Sequence, residues 1–209
     1  MTTVISSPEQ RVVLHGVSWE TYERLLAEHQ NSSSTRFTYD QGRLEIMILS
    51  PEHEEPNRSL SFLVEIVALE MNINVRNFGS TTFKREGIGR GFAPDSCFYL
   101  QNAQRIKGRK RLDLSIDPPP DLVIEIDVTS PSLDNFPIFA SIGVAEIWRY
   151  QEGRVTVYEL VGPEYVRREK SARLPPLTGA ALSHLMAESE RLERTDWVRA
   201  IRHWLLENR

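Results

Sequence analysis

The sequence has little cysteine and no long apolar segment. Cys97 is the one cysteine among 209 residues, which excludes an intrachain disulfide and a zinc site built from several cysteines. No apolar run approaches the ~18–20 residues that span a bilayer. Residues 1–10 also lack the basic start and apolar stretch of a signal peptide. We therefore expect a protein of the reducing cytoplasm without a membrane partner.

Internal repeats and low-complexity segments are also missing, and the length suits a single domain. Hydrophobic residues make up 40% of the chain and charged residues 26%, a composition typical of globular rather than disordered proteins. We expect an N-terminal tail over residues 1–17 and a single domain over 18–190. A C-terminal helix over 191–209 is expected to pack on the domain or on a dimer partner.

The net charge of −4 argues against a nucleic-acid partner until it is resolved along the chain. Between Lys84 and Arg111, eight basic residues stand against two acidic ones, a net charge of +6 (eight minus two), whereas residues 112–134 hold six acids and no lysine or arginine. The basic segment forms either a solvated loop or a surface that contacts DNA phosphates. The candidate phosphate-binding residues are Lys84, Arg85, Arg90, Arg105, Lys107, Arg109, Lys110 and Arg111.

The spacing of apolar residues predicts both helices and strands. Their order indicates an α/β (α+β mixed) fold, in which helices flank a mixed, partly antiparallel central sheet. Helices are expected over residues 19–29, 54–71, 132–142, 179–190 and 195–207. Strands are expected over 36–40, 43–49, 74–78, 81–84, 95–100, 121–128, 145–150 and 154–160.

The strand predicted over residues 121–128 carries the most chemical information. Because side chains alternate along a strand, Glu125 and Asp127 lie on one face, roughly 6–7 Å apart at the backbone. Carboxylates inside a sheet are costly unless they are paired or bind a cation. The strand is therefore an edge strand with its acidic face in water, a strand whose carboxylates pair with arginines, or part of a divalent-metal site.

A further acid, Asp95, follows Pro94 at the start of another apolar strand. Together with Glu125 it forms a spaced pattern that resembles the PD-(D/E)XK nuclease superfamily. Other short motifs resemble the Uma family of restriction-endonuclease-like proteins, in the same order, between residues 35 and 160. They are Gly42-Arg-Leu-Glu45, Ser50-Pro-Glu-His53, Pro120-Asp-Leu-Val-Ile-Glu125, Thr129-Ser-Pro-Ser132 and Gly143-Val-Ala-Glu-Ile-Trp148.

The resemblance implies a restriction-endonuclease-like core and metal-dependent hydrolysis of phosphodiester bonds. Asp95 and Glu125 would hold Mg²⁺ (or Mn²⁺), with Asp127 as an additional candidate ligand. Glu45 resembles an acid of family members that could complete the metal shell, and its alternative role is a solvent-facing strand residue. His53 matches a family position and could orient a water or cap the helix that follows.

One departure concerns the lysine that the superfamily places near the second carboxylate. Asp127 occupies its standard position, and Asn135 occupies the position to which many family members have moved it. Asparagine donates hydrogen bonds but carries no charge. Lys84, one of four lysines in the chain, could reach the site from another element.

Three functions are compatible with these features. The first is a Mg²⁺-dependent DNA endonuclease, for which a homodimer would supply one site for each strand. The second is a catalytically degenerate nuclease-fold protein that binds DNA or a protein partner. The third is a metal-dependent phosphohydrolase of small molecules.

Overall fold

A computed structural model describes residues 10–29, 35–127 and 135–208. Five α-helices lie in these residues: α1 (Trp19–Glu28), α2 (Pro51–Glu70), α3 (Phe136–Ile142), α4 (Gly179–Ser189) and α5 (Arg194–Glu207). The same described residues also form eleven strands: β1 (Gln10–Leu14), β2 (Thr35–Asp40), β3 (Arg43–Ile48), β4 (Arg76–Gly79), β5 (Phe83–Arg85), β6 (Arg90–Phe92), β7 (Ser96–Tyr99), β8 (Leu122–Asp127), β9 (Glu146–Gln151), β10 (Arg154–Val161) and β11 (Glu164–Arg168). None of the described helices is long and apolar enough to cross a membrane.

The strands form two sheets. The first sheet has the order β1-β3-β2-β6-β5, and the second sheet has the order β11-β10-β9-β8-β7-β4. All pairs are antiparallel except β8 with β9, which run parallel. The predicted mixed fold, with a partly antiparallel sheet and flanking helices, is confirmed.

Strand β8 lies inside the second sheet, between β7 and β9. Leu122, Ile124 and Ile126 are buried in the core that this sheet forms with α2, α4 and α5. Val123 is buried on the opposite side, among residues of α3 and the first sheet. The alternation predicted for this strand is confirmed, and its interior position excludes the edge-strand alternative. Val128, the predicted last residue of the strand, lies outside the described residues.

The first sheet alternates in the same way. Phe37 and Tyr39 of β2 are buried against Tyr22 of α1, and the Tyr22 and Tyr39 rings stack with centroids 4.8 Å apart. Helix α1 begins after Ser18, whose Oγ accepts a hydrogen bond of 3.2 Å from the backbone N–H of Thr21. Helix α1 thus covers one face of this sheet, and the other face is left for the polar residues of β2 and β3.

Several elements differ from the sequence predictions. Gln10–Leu14 forms an edge strand, where the sequence predicts a tail, because it pairs with β3 over five residues. Helix α2 begins at Pro51, so Pro56 lies inside the helix and not near its first turn. Strand β6, which contains Gly91, and strand β11 are not predicted by the sequence. Helix α3 begins at Phe136, and the residues predicted to precede it in that helix, 132–134, lie outside the described part of the chain.

The last helix packs on the domain core. Trp197, Ile201 and Leu205 of α5 are buried in the same cluster as α2 and the second sheet. The Trp197 Nε1–H donates to the backbone carbonyl of Leu185, at 2.7 Å. The stripe of apolar residues on this helix is therefore accounted for within the chain.

Candidate functional site

A small cavity of about 40 Å³ lies between the polar face of the first sheet and strand β8. It is wide enough for one or a few waters or a single ion. We call it the carboxylate cavity because four carboxylates line it. Its polar lining consists of Glu45, Asp95, Glu125, Asp127, Arg11, Arg36, Thr38 and Asn135. Of the predicted site residues, all the acids thus meet at one place.

The local fold fixes the carboxylate of Asp95. This buried residue lies directly before β7, where its Oδ2 accepts a hydrogen bond of 2.8 Å from the backbone N–H of Ile126. Nε2 of His53, a fully buried residue of α2, lies 3.1 Å from the same oxygen. Asn57 donates to the backbone carbonyl of Asp95 at 3.1 Å. His53 therefore contacts the carboxylate of Asp95 and does not itself line the cavity.

Glu125 is the most perturbed acid of the cavity. Although part of the residue reaches the cavity surface, its Oε1 atom is buried and has no hydrogen-bond partner among the described residues. Burial raises the pKa of Glu125 well above its usual range, and the charges of Asp95 and Asp127 add to the rise. A backbone hydrogen bond from Asp95 and the charge of Arg36 oppose it. The ionised form of Glu125 is therefore disfavoured unless a cation offsets its charge.

The other two acids are paired with arginines. Oδ2 of Asp127 accepts a hydrogen bond of 2.6 Å from Nε of Arg149, which lies on the adjacent strand β9 opposite Glu125. Oε2 of Glu45 accepts one of 2.5 Å from Nη2 of Arg11 on β1. The arginine-pairing alternative therefore describes Asp127, while Glu45 is buried and not solvent-facing as its alternative role required.

Glu146 provides a useful contrast within the second sheet. This fully buried acid of β9 accepts hydrogen bonds from Nε1 of Trp148 at 2.7 Å, Oγ of Ser171 at 2.6 Å and the backbone N–H of Ala172 at 2.7 Å. Its carboxylate oxygens are thus satisfied by the fold, and it does not line the carboxylate cavity. Glu125, in contrast, is left with an unsatisfied oxygen in a site shared with other acids.

Two side chains of the carboxylate cavity could contribute to a site for a hard divalent cation. Within the described residues, no group of three or more histidine, cysteine or acidic side chains is arranged to hold a metal ion. Asp95 and Glu125 remain as two adjacent carboxylates, one with an orphaned buried oxygen. Mg²⁺ is commonly held by one or two carboxylates and completes its shell with waters and phosphate oxygens, so this pair matches its requirements.

The structure separates the two candidates for the superfamily lysine. Asn135 precedes α3 and lines the carboxylate cavity, and its Oδ1 is buried without a hydrogen-bond partner among the residues described. Lys84 does not line this cavity and forms an ion pair with Glu23 of α1. Lys84 is thus oriented toward α1 and not toward the carboxylates.

The candidate phosphate-binding residues differ in how firmly they are held. Arg85 donates to the carbonyl of Leu114, Arg90 donates to Asp40, and Arg109 forms an ion pair with Asp117. The exposed members are Lys84, Arg105, Lys107, Arg109, Lys110 and Arg111.

A cleft of about 750 Å³ adjoins the carboxylate cavity. We call it the basic cleft because Lys84, Lys110 and Arg111 line it. Arg36 and Ala93 belong to the linings of both the cleft and the cavity, so the two are contiguous. The basic segment noted in the sequence therefore leads to the acids.

The arginines of the site were not predicted from the sequence. Arg11 lies in the segment predicted as a tail, and Arg36 and Arg149 lie in predicted strands without a neighbouring motif. The one available signal was the alternation of β2, which places Arg36 opposite the apolar face formed by Phe37 and Tyr39.

Comparison with known proteins identifies the family. Residues 19–187 match the Uma2 family model, described as "Putative restriction endonuclease". The chain belongs to the Uma2 family. The resemblance seen in the sequence motifs is confirmed, and membership in Uma2 supports a nuclease function.

A solved structure is among the proteins similar to this chain. It is a "putative nuclease belonging to DUF820" from Anabaena variabilis, with a TM-score of 0.47 and 18% sequence identity over 72% of this chain and 90% of that chain. No curated protein matches the chain.

Proposed function

We propose that this Uma2 protein is an endonuclease that depends on Mg²⁺ (or Mn²⁺) and hydrolyses phosphodiester bonds of DNA. The observation that carries the proposal is Glu125, whose carboxyl group is buried beside Asp95 with one oxygen unsatisfied. Such an arrangement is costly for a folded protein and is typical of a site that acts on a ligand.

Asp95 and Glu125 would hold the metal. When bound, the divalent cation would acidify a water and offset negative charge on the phosphate. The backbone N–H of Ile126 and the His53 ring hold the Asp95 carboxylate in a fixed orientation, so it meets a cation without rearrangement. In the reaction, water adds to phosphorus and releases a proton to solvent. The bond from phosphorus to one sugar oxygen breaks, and that oxygen takes up a proton from solvent and leaves as a hydroxyl group.

The basic cleft would hold the DNA backbone. Lys84, Lys110 and Arg111 line it, and lysine and arginine contacts to phosphates supply affinity without reading the sequence. A homodimer would bring two such sites to a duplex, one for each strand. We place this activity in the cytoplasm, because a chain with a single cysteine cannot form an intrachain disulfide and cytoplasmic proteins rarely contain disulfides.

A plasmid-cleavage assay tests the proposal. Purified protein is incubated with supercoiled plasmid and Mg²⁺ or Mn²⁺, and Asp95→Ala and Glu125→Ala are compared with the wild type. The matched control is Asp196→Ala, which removes an exposed acid of α5. Nicking or linearisation by the wild type and the control, but not by the two cavity variants, is expected. Cutting that survives both cavity substitutions would refute the site.

Asn135 favours a second candidate function. It occupies the cavity position that the resemblance assigns to a lysine, and it supplies no charge. A degenerate nuclease fold that binds DNA or a protein would show no cleavage by the wild type, whereas Asn135→Lys would restore it. Cleavage by the wild type at a rate that Asn135→Lys does not raise would exclude this candidate.

A further inference from the structure

Phosphodiester hydrolysis places additional negative charge on the phosphate, and a nuclease site stabilises that charge with a cationic side chain. Neither predicted lysine position provides one, because Asn135 is neutral and Lys84 pairs with Glu23 outside the cavity. The cation must therefore come from a residue that the motif does not name.

Arginines are the cationic side chains next to the carboxylate cavity. Arg149 forms an ion pair with Asp127, and Arg11 forms one with Glu45. Each of these guanidinium groups is held against a buried acid, and its loss would leave that acid without its partner. Their contacts indicate structural roles. Arg36 differs from both because it lines the carboxylate cavity and the basic cleft.

Strand β2 carries Arg36 to the cavity. Phe37 and Tyr39 point toward α1, so the alternation of the strand directs Arg36 and Thr38 to the opposite face. Arg36 is only 8% exposed, and its backbone pairs with Met47 of β3. Its side chain therefore projects from a position that the sheet holds in place.

The surroundings of Arg36 match the path of a phosphate backbone. Arg36 lines the carboxylate cavity with Asp95 and Glu125. It also lines the basic cleft with Lys110 and Arg111. A phosphate that passes from the cleft to the acids would thus meet the Arg36 guanidinium.

We propose that Arg36 is a catalytic residue, which binds the scissile phosphate and stabilises its developing negative charge in place of the missing lysine. This inference rests on the proposed nuclease function. The guanidinium donates N–H bonds to non-bridging phosphate oxygens and transfers no proton, because arginine stays protonated throughout the accessible pH range. The electron pair of the breaking phosphorus–oxygen bond leaves with the sugar oxygen.

The test compares Arg36→Gln and Arg36→Lys with the wild type in two measurements. The first is the rate of plasmid cleavage at saturating DNA and Mg²⁺. The second is the affinity for a short duplex in Ca²⁺, measured by fluorescence anisotropy. Arg199→Gln, which removes an exposed arginine of α5, is the matched control.

We expect Arg36→Gln to lose about 10²–10³-fold in rate, the effect of removing one group that stabilises transition-state charge. Its duplex affinity should change less than tenfold, because the basic cleft is intact. Adding Asn135→Lys to Arg36→Gln should recover at least tenfold in rate, since a cation again faces the cavity. Arg199→Gln should match the wild type in both measurements.

Three results would overturn the proposal. Arg36→Gln cutting within threefold of the wild-type rate would refute the role of Arg36 and leave the nuclease function intact. A wild type that cuts with neither Mg²⁺ nor Mn²⁺ would refute the nuclease function and, with it, the role of Arg36. If circular dichroism shows that Arg36→Gln is unfolded, the cleavage rate of Arg36→Lys tests the proposal instead. We expect Arg36→Lys to cut about tenfold more slowly than the wild type, because lysine cannot donate two parallel hydrogen bonds to a phosphate. Cleavage by Arg36→Lys at the wild-type rate would overturn the proposal.

Discussion

Replacing Glu125 with glutamine should make the folded protein more stable at pH 8 and leave its stability nearly unchanged at pH 4. Burial and the charges of Asp95 and Asp127 raise the pKa of Glu125 in the folded state above its value in the unfolded chain. The stability associated with the protonated group is therefore present at low pH and is lost as pH rises through the folded-state pKa. Glutamine keeps the shape of the side chain and removes the ionisation.

The size of the effect follows from the surroundings of the carboxyl group. Oε1 of Glu125 is buried and has no hydrogen-bond partner among the described residues. An unsatisfied buried group costs about 1–3 kcal/mol, and a charged group costs more. Glutamine leaves an unsatisfied polar atom at the same place, so the change removes only the extra cost of the charge, and we expect Glu125→Gln to raise the free energy of unfolding by about 1–3 kcal/mol at pH 8. For a chain of this length, each kcal/mol raises Tm by about 2–4 °C.

Thermal unfolding followed by circular dichroism, without divalent metal, measures this difference at both pH values. Glu146→Gln is the matched control, because Glu146 is a buried acid on the adjacent strand whose oxygens accept several hydrogen bonds. Burial raises the pKa of Glu146 as well, so the two acids differ in their hydrogen bonds and not in the direction of their pKa shifts. Glu146→Gln should destabilise the protein at pH 8, because the amide group cannot accept all of these bonds. A Glu125→Gln variant that is less stable than the wild type at pH 8 would refute the reasoning.

Three further predictions concern packing, pairing and DNA contact. Arg149→Ala should lower the free energy of unfolding in urea by about 1–3 kcal/mol, because Asp127 is left buried without its partner. The loss is smaller than for a fully buried ion pair, since Arg149 itself is partly exposed. An unchanged midpoint of urea unfolding would contradict the pairing. Gly91→Ala should cost about 1–3 kcal/mol, because the added Cβ would overlap the Tyr22 hydroxyl in a packed core; a Tm equal to the wild type would show that the ring moves freely. Affinity for duplex DNA, measured by anisotropy between 50 and 200 mM salt, should fall by about tenfold or more if several phosphates are contacted; a salt-independent affinity would exclude the basic cleft as a phosphate-binding surface.

Local patterns in the sequence predict the elements whose residues carry a strong periodic signal. Leu122, Ile124 and Ile126 alternate with Val123 and Glu125, so both the strand and its faces follow from the sequence alone. Strand β1 carries no such signal, because it is an edge strand with exposed apolar residues, and pairing with β3 stabilises it. Pattern alone does not reveal partners that lie far apart in the chain.

The site shows the same division. Asp95 and Glu125 were identified from their motif and from the resemblance to a family, and the structure places them at one cavity. Arg36 and Arg149 could not be assigned to that cavity, because their approach depends on how two sheets pack against each other. A short sequence motif does not show how close residues of two different sheets come to each other.

The most direct test of the proposed metal site is Mg²⁺-dependent plasmid cleavage by Glu125→Gln, compared with the wild type at equal concentrations of folded protein. This variant is expected to be more stable than the wild type at pH 8, so lost activity could not be assigned to unfolding. We predict cleavage by the wild type and at least a hundredfold slower cleavage by Glu125→Gln, the loss expected when a group that stabilises the transition state is removed. Equal cleavage by the two proteins would contradict the claim that Asp95 and Glu125 hold the catalytic metal.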